Sequence, residues 1–307
     1  MSKREITKVS IIGMGALGLL YGSHIVKHMG MEAVDFIMED SRLRKYENQR
    51  FYCNEEEIKF KLTKDNEAEP ADLLIVAVKY TGLEEALISM RKCIGPDTII
   101  LSVLNGISSE KVIGTHYGMD KVIYTIAQGM DAMKFDHKLQ FTRMGELRLG
   151  IVDERQKDKL NRVISFFDKI ELPYVVEEDI LHRLWSKFML NVGVNQACMV
   201  YDTNYAGALA FGEPNRTMIA AMREVIAVAN AEGIKLSEAD LNQYIDIIGK
   251  LNPEGMPSME QDRINRKPSE VELFAGTVIE RAKMYKIYVP TNEFLYRWVK
   301  EIEREYL

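Results

Sequence analysis

The sequence predicts an α/β amino-terminal domain built on a mostly parallel sheet, followed by an all-helical carboxy-terminal domain. Three observations carry this expectation. Short apolar runs of strand length alternate with helical patterns through the first half, which implies a sheet covered by helices on both faces. A Gly-x-Gly-x-x-Gly turn follows the first of these runs and opens the first helical pattern. Beyond about residue 180 the periodicity is helical throughout and strand-like runs cease.

In chain order, "KVSIIG" (8–13) reads as a buried strand and 16–29 as a helix. "AVDFIM" (33–38), "ADLLIVAV" (71–78), "DTIILSVL" (97–104) and "KVIYTIA" (121–127) read as further strands. "KLQFTRMGELRLG" (138–150) is expected to form two short antiparallel strands, and "LPYVVEED" (172–179) a last one. Helical spacing then runs over 180–201, 213–232, 237–250, 269–286 and 292–306. The acidic turn near residue 178 is the expected boundary, which makes 1–178 the first domain and 179–307 the second.

A chain of 307 residues suits two domains, and 47% hydrophobic content is ample for a core in each. With 40 basic and 46 acidic side chains the net charge is −6, which argues against nucleic acid or an anionic membrane as partner. No apolar run approaches the roughly 18 residues of a membrane span, and "LLIVAV" (73–78) is only strand length. The start, "MSKREITKVSIIG", has no apolar leader core. Cys53, Cys93 and Cys198 are odd in number and widely spaced, as free thiols of a cytoplasmic protein are. His24 and His28 stand four apart without a third ligand, so no metal site is expected.

The glycine turn reads "GMGALG", residues Gly13, Met14, Gly15, Ala16, Leu17 and Gly18. Placed between a strand and a helix, and followed by a second strand ending in Glu39 and Asp40, it is the signature of a Rossmann-type dinucleotide site. Gly13 permits the tight turn, Gly15 admits the diphosphate to the backbone, and Gly18 lets helix and strand pack closely. Free N–H groups at the helix start meet the diphosphate. Ligand in such a sheet binds beyond the strands' carboxyl ends, which is where Lys79 and the Asn105-Gly106 pair stand.

The second half contains "LWSKFMLNVGVNQ" (184–196), in which Lys187, Asn191 and Asn195 are each four residues apart. At about 100° per residue they share an arc of roughly 80°, one polar stripe on an otherwise apolar helix. Burying such groups unpaired costs a few kcal/mol each, so they need water, a partner or a ligand. Farther on, "PSMEQDRINRKPSEVE" (257–272) carries Ser258 and Glu270. Locally, Ser269 and Glu272 fit a capping box that opens a helix, with Glu270 a first-turn acid favoured by the helix dipole.

These elements, "GMGALG", "VK" at 78–79, "NG" at 105–106, "LWSKFMLNVGVNQ" and "SMEQDR…SEVE", resemble in order and spacing the ketopantoate reductases (2-dehydropantoate 2-reductases) of pantothenate biosynthesis. The resemblance implies a dinucleotide-binding domain, a helical domain and reduction of a small 2-oxo acid. It also implies roles: Lys187 as the catalytic lysine and general acid, Glu270 as its partner glutamate, Asn191, Asn195 and Ser258 as substrate-binding residues, and Asn105 and Lys79 on the cofactor and substrate side. A further family asparagine falls near "DTNYAGAL", where Asn204 is displaced from the family spacing.

The resemblance implies NADP(H) as cofactor, because such enzymes generally use NADPH. The residues after the second strand, "FIMEDSRLR", put Glu39 and Asp40 first and Arg42 and Arg44 later. A carboxylate there accepts hydrogen bonds from an unphosphorylated ribose and repels a 2′-phosphate, so acceptance of NAD(H) is expected as well. Two other readings stay open: a dehydrogenase of a different 2-oxo or 3-hydroxy acid, and a non-catalytic dinucleotide-sensing module. The sensor needs only the glycine turn and has no use for Lys187 or Glu270. A homodimer is left open as the assembly.

Overall fold

The computed structural model describes residues 5–307; the first four residues of the charged start lie outside them. The chain divides into two compact units, one ending at Ile180 and the other running from Leu181 to Leu307.

The first unit is a layered α/β structure. It runs β1 (Val9–Ile12), α1 (Ala16–Met29), β2 (Val34–Met38), α2 (Asp40–Tyr46), β3 (Phe51–Cys53), β4 (Glu56–Ile58), β5 (Lys61–Lys64), β6 (Leu73–Val76), α3 (Leu83–Ser89), β7 (Ile99–Ser102), α4 (Ser109–Tyr117), β8 (Val122–Gln128), β9 (Met133–Phe135), β10 (Lys138–Gln140), β11 (Glu146–Gly150), α5 (Lys157–Lys169) and β12 (Tyr174–Val176). Eight strands form one sheet in the order β12-β11-β8-β7-β6-β1-β2-β5. It is parallel from β5 to β8, and β11 then pairs antiparallel to β8.

Side chains alternate across this sheet. Val9, Ile11, Leu73, Ile75, Ile99 and Leu101 join Leu19, Leu20 and Ile25 of α1 and Val163 and Phe167 of α5 in one core. Ile12, Ile37, Leu74, Val76 and Ile100 point the other way, toward Leu83 and Leu87 of α3 and Ile113 of α4. Fully buried parallel strands need apolar residues on both faces, which is why their sequence reads as continuous hydrophobic runs.

The two strands expected within 138–150 belong to different sheets. β11 is in the large sheet, whereas β10 joins a second, four-stranded sheet of order β4-β3-β10-β9. β10 runs antiparallel to β9 and parallel to β3, with Lys138 opposite Tyr52 and Leu139 opposite Cys53. The strands of 51–64 have no counterpart in the sequence expectations. They are short and half polar, so local periodicity does not mark them.

The second unit comprises α6 (Ile180–Tyr201, whose first residue belongs to the first unit), α7 (Tyr205–Leu209), α8 (Glu213–Ala231), α9 (Glu238–Gly249), α10 (Ser258–Ile264), a π-helical turn (Glu272–Gly276), α11 (Thr277–Tyr285) and α12 (Pro290–Arg304). Trp185, Phe188, Met189 and Val192 of α6 are buried, as are Met218, Met222 and Val225 of α8 and Phe274, Leu295 and Val299. Gly193 lets α8 press on α6, since a Cβ there would lie 2.5 Å from the Met222 side chain and 3.1 Å from the Met218 carbonyl.

The helix expected over 269–286 is present from Glu272, but it begins as a π-helical turn before continuing as α11. The expected capping box is also absent. Ser269 Oγ does accept from Val271 N–H at 3.3 Å, but Ser269 N–H donates to the Glu303 carboxylate of α12 at 2.7 Å. Glu272 accepts from the Tyr296 hydroxyl at 2.7 Å and pairs with Lys300 at 3.1 Å. Two carboxylates competed for one N–H, and the one supplied by packing prevailed over the one supplied by spacing.

Candidate functional site

The glycine turn stands between β1 and α1. Gly13 has φ +108°, and a Cβ on it would lie 2.5 Å from the Ala77 carbonyl oxygen; one on Gly18 would lie 2.0 Å from the Gly13 oxygen. The fold itself requires both to be glycine. Gly15 is different. Its φ of −74° suits any residue, and a Cβ would meet only the Ala77 oxygen, at an ordinary 3.7 Å. Gly15 is the N-cap of α1, with no side-chain cap and no acid in the first turn among the described residues. A bare helix start beside a glycine that the protein does not need fits a diphosphate lying against the backbone. Met14 is buried in the turn, Ala16 and Leu17 begin α1, and both pack partly against the core.

A pocket beside the turn is lined by Gly13, Met14, Met38, Glu39, Arg42, Tyr46, Val78 and Glu85, among others. Glu39 follows β2 as the N-cap of α2 and is exposed, with the Ser41 hydroxyl donating to its carboxylate. Arg42 reaches Glu85 at 3.3 Å. Arg44 pairs with Asp40 at 2.5 Å, and Lys64 pairs with the same carboxylate at 2.8 Å. The Lys64 hydrogen bond, with the charge of Arg44 behind it, holds the Asp40 carboxyl below its usual range. Of the two arginines, only Arg42 lines this pocket with Glu39.

Lys79 follows β6 and is exposed; its carbonyl accepts from Gly82 N–H at 2.9 Å. Asn105 follows β7, half-buried, next to Gly106 at φ +92°. Both stand beyond the carboxyl ends of neighbouring parallel strands, where an α/β sheet of this kind holds ligand.

In the helical unit, the polar stripe of α6 passes from half-buried Lys187 and Asn191 to buried Asn195. Asn195 Oδ1 accepts from the Ser258 hydroxyl at 2.9 Å and from Met259 N–H at 3.2 Å, while its Nδ2 lies 3.4 Å from Asn191 Oδ1. A backbone N–H only donates, so Met259 fixes which end of the Asn195 amide faces it. The –NH2 of Asn195 then points to Asn191 Oδ1, leaving Asn191 to present its own –NH2. Asn195, only 4% exposed, therefore orients its neighbours. Within α10, buried Glu260 accepts two hydrogen bonds from Arg263 at 2.7 and 2.8 Å, and Arg263 also pairs with Asp202. Burial pushes the Glu260 carboxyl up, against the pull of Arg263.

Glu270 is half-buried in a bend immediately before the π-helical turn, and its carbonyl accepts from Phe274 N–H at 3.0 Å. Single π turns inside helical segments recur at functional sites. Asn204 caps α7, accepting from Gly207 N–H at 3.0 Å and donating to Glu254 at 3.0 Å. Its carboxamide is thus engaged in local structure.

Two residues that no motif singled out also stand at the glycine turn. Lys134 of β9 places Nζ 2.6 Å from the Met14 carbonyl and over the Tyr46 ring, 5.6 Å from its centroid. No local pattern marks them, because the second sheet brings β9 to the turn. Among the described residues no cluster of His, Cys, Asp or Glu suits a metal ion, and no helix is long and apolar enough to cross a membrane.

Comparison with known proteins agrees with this architecture. Residues 9–154 match the family described as ketopantoate reductase PanE/ApbA, and residues 179–303 match its carboxy-terminal domain. The chain is 26% identical to the 2-dehydropantoate 2-reductase of Aquifex aeolicus (strain VF5) over 307 residues, with 97% of each chain covered. It is 25% identical to that of Streptococcus pyogenes serotype M6 over 286 residues, covering 92% of this chain and 93% of the other. In fold it is similar to a D-mandelate dehydrogenase solved with NADH, at 21% identity and a TM-score of 0.87, covering 98% of this chain and 100% of the other. It is likewise similar to a PanE/ApbA family ketopantoate reductase from Ralstonia eutropha JMP134, at 24% identity and a TM-score of 0.82, covering 97% and 99%. With the two family domains matched in order along nearly the whole chain, the protein belongs to the ketopantoate reductase family.

Proposed function

We propose that the protein reduces 2-dehydropantoate to pantoate with a nicotinamide dinucleotide. The observation that carries this reading is the polarity of the row on α6. Lys187 heads the stripe, and Asn195 turns Asn191 so that its –NH2 is presented. Donors of that kind suit a 2-oxo acid, which carries a carboxylate and a carbonyl oxygen that becomes negative during reduction. Gly13, Met14, Gly15, Ala16, Leu17 and Gly18 would hold the diphosphate, and Glu39 the ribose of the adenosine. Lys79 and Asn105 would line the same ligand edge. When bound, the reduced nicotinamide supplies a hydride to the carbonyl carbon.

The chain's own residues do the rest. Lys187 donates a proton to the carbonyl oxygen as charge develops there. Asn191 orients the substrate without adding charge. The Ser258 hydroxyl hydrogen is committed to Asn195, so Ser258 holds the row in place and has no hydrogen left to donate to the substrate. Glu270, at the edge of the π turn, accepts the hydrogen of the substrate hydroxyl. On this reading Asn195 acts through Asn191 and Ser258.

The reading takes the cofactor to be NADH at least as readily as NADPH, since a carboxylate just past β2 favours a free ribose hydroxyl and Arg44 is paired with Asp40. It places the enzyme in the cytoplasm and leaves a homodimer open as its assembly. The test is the initial rate of reduced-nicotinamide oxidation across a panel of 2-oxo acids with both cofactors. Fastest turnover of ketopantoate supports the proposal. A clear preference for a 2-oxo acid without the hydroxyl would move the protein to another dehydrogenase activity, and binding without turnover would make it a sensor.

A further inference from the structure

We infer that Lys134 is a ligand for the dinucleotide's diphosphate, which makes the four-stranded second sheet part of the cofactor site. The inference rests on the dinucleotide reading above and adds a residue to it that lies outside the glycine-rich turn.

Lys134 lies on β9, an edge strand of the second sheet. Its ammonium stands 2.6 Å from the carbonyl of Met14, the residue between Gly13 and Gly15. That carbonyl immediately precedes the N-cap of α1, the positive end of the helix dipole. The ammonium therefore adds positive charge beside the free N–H groups at the start of α1. Those groups are where a dinucleotide's diphosphate lies in a fold of this kind. The ammonium is also held over the Tyr46 ring, a weakly attractive contact that orients the charge. Tyr46 is in turn packed against Phe51 and His137, with ring centroids 5.9 and 6.1 Å away. The second sheet thus fixes both the lysine and the aromatic ring it rests on, and Tyr46 and Met14 line one pocket with Glu39.

The competing role for Lys134 is mechanical: a strap from the second sheet to the turn. The Lys134→Gln variant separates the two, since an amide still donates to the Met14 carbonyl but carries no charge. The measurement is Kd by fluorescence titration for NADH, ADP-ribose and adenosine, alongside thermal melting and with Lys134→Arg as the charge-retaining control. The expected result is that Lys134→Gln weakens NADH and ADP-ribose by about tenfold or more, as loss of a charge-assisted contact does. Adenosine affinity stays unchanged and Lys134→Arg remains near wild type. Equal weakening of adenosine would assign the strap role, and unchanged NADH affinity in a folded Lys134→Gln would overturn the inference. Failure of the wild-type protein to bind either reduced dinucleotide would instead overturn the reading on which it rests.

Discussion

Ser258 donates its hydroxyl hydrogen to Asn195 Oδ1 across 2.9 Å, fastening the start of α10 to the polar stripe of α6. The same oxygen takes Met259 N–H, which as a first-turn donor has no partner within its own helix. Asn195→Ala removes the acceptor from both. Leaving buried Met259 N–H unsatisfied costs about 1–3 kcal/mol, so thermal melting should show a corresponding loss. KM for ketopantoate should rise while Kd for NADH stays as in wild type. Unaltered KM in the variant would mean that the row does not organise the substrate.

Lys187→Ala should keep its melting temperature and cofactor affinity but lose on the order of 10²-fold or more in kcat, the usual effect of removing a general acid. Its place at the head of the Asn191 and Asn195 stripe motivates this expectation. Stopped-flow or steady-state rates with ketopantoate provide the check. A near-normal kcat would make Lys187 an ordinary helix-surface lysine.

Glu270→Ala should raise KM for ketopantoate more than for a 2-oxo acid lacking the hydroxyl. The capping box expected around this residue is absent, because Glu303 rather than Glu272 takes Ser269 N–H. Comparison of KM for the two substrates distinguishes the roles. Equal kinetics combined with a lower melting temperature would reduce Glu270 to a structural acid.

The glycines of the turn should separate by experiment. Gly18→Ala forces a Cβ to within 2.0 Å of the Gly13 oxygen and should lower the melting temperature sharply. Gly15→Ala adds a methyl where the protein has room, so it should melt like wild type yet bind NADH more weakly. Wild-type NADH affinity in Gly15→Ala would show that no ligand approaches that backbone.

Cofactor choice follows from β2. Glu39 at the strand end favours a free ribose hydroxyl, and kcat/KM for NADH should equal or exceed that for NADPH at saturating ketopantoate. A preference for NADPH above about tenfold, some 1.4 kcal/mol, would identify Arg42 as a phosphate ligand able to leave Glu85.

The elements that repeat locally were legible in the chain. The apolar runs of β1, β2, β6, β7 and β8, the helix beginning at Ala16 and the 22-residue α6 all fall where the periodicity places them. Burial on both faces of a parallel strand, or along one helix stripe, writes a short-range pattern. The tight turn at Gly13 was readable for the same reason, since the turn and its glycines are neighbours in sequence; its φ of +108° came with the structure.

Contacts between distant segments were decided only by the tertiary structure. β3 pairs with β10, and Lys134 reaches Met14, through partners far apart along the chain. Short, half-polar strands carry no period of their own to announce such pairings. Glu303 displaced Glu272 at Ser269 because α12 packs its carboxylate against that N–H. Asn195 was readable as a polar residue in want of a partner, and the folded chain supplied Ser258 from 63 residues away. Sequence sets which groups must be satisfied; packing between remote elements chooses what satisfies them.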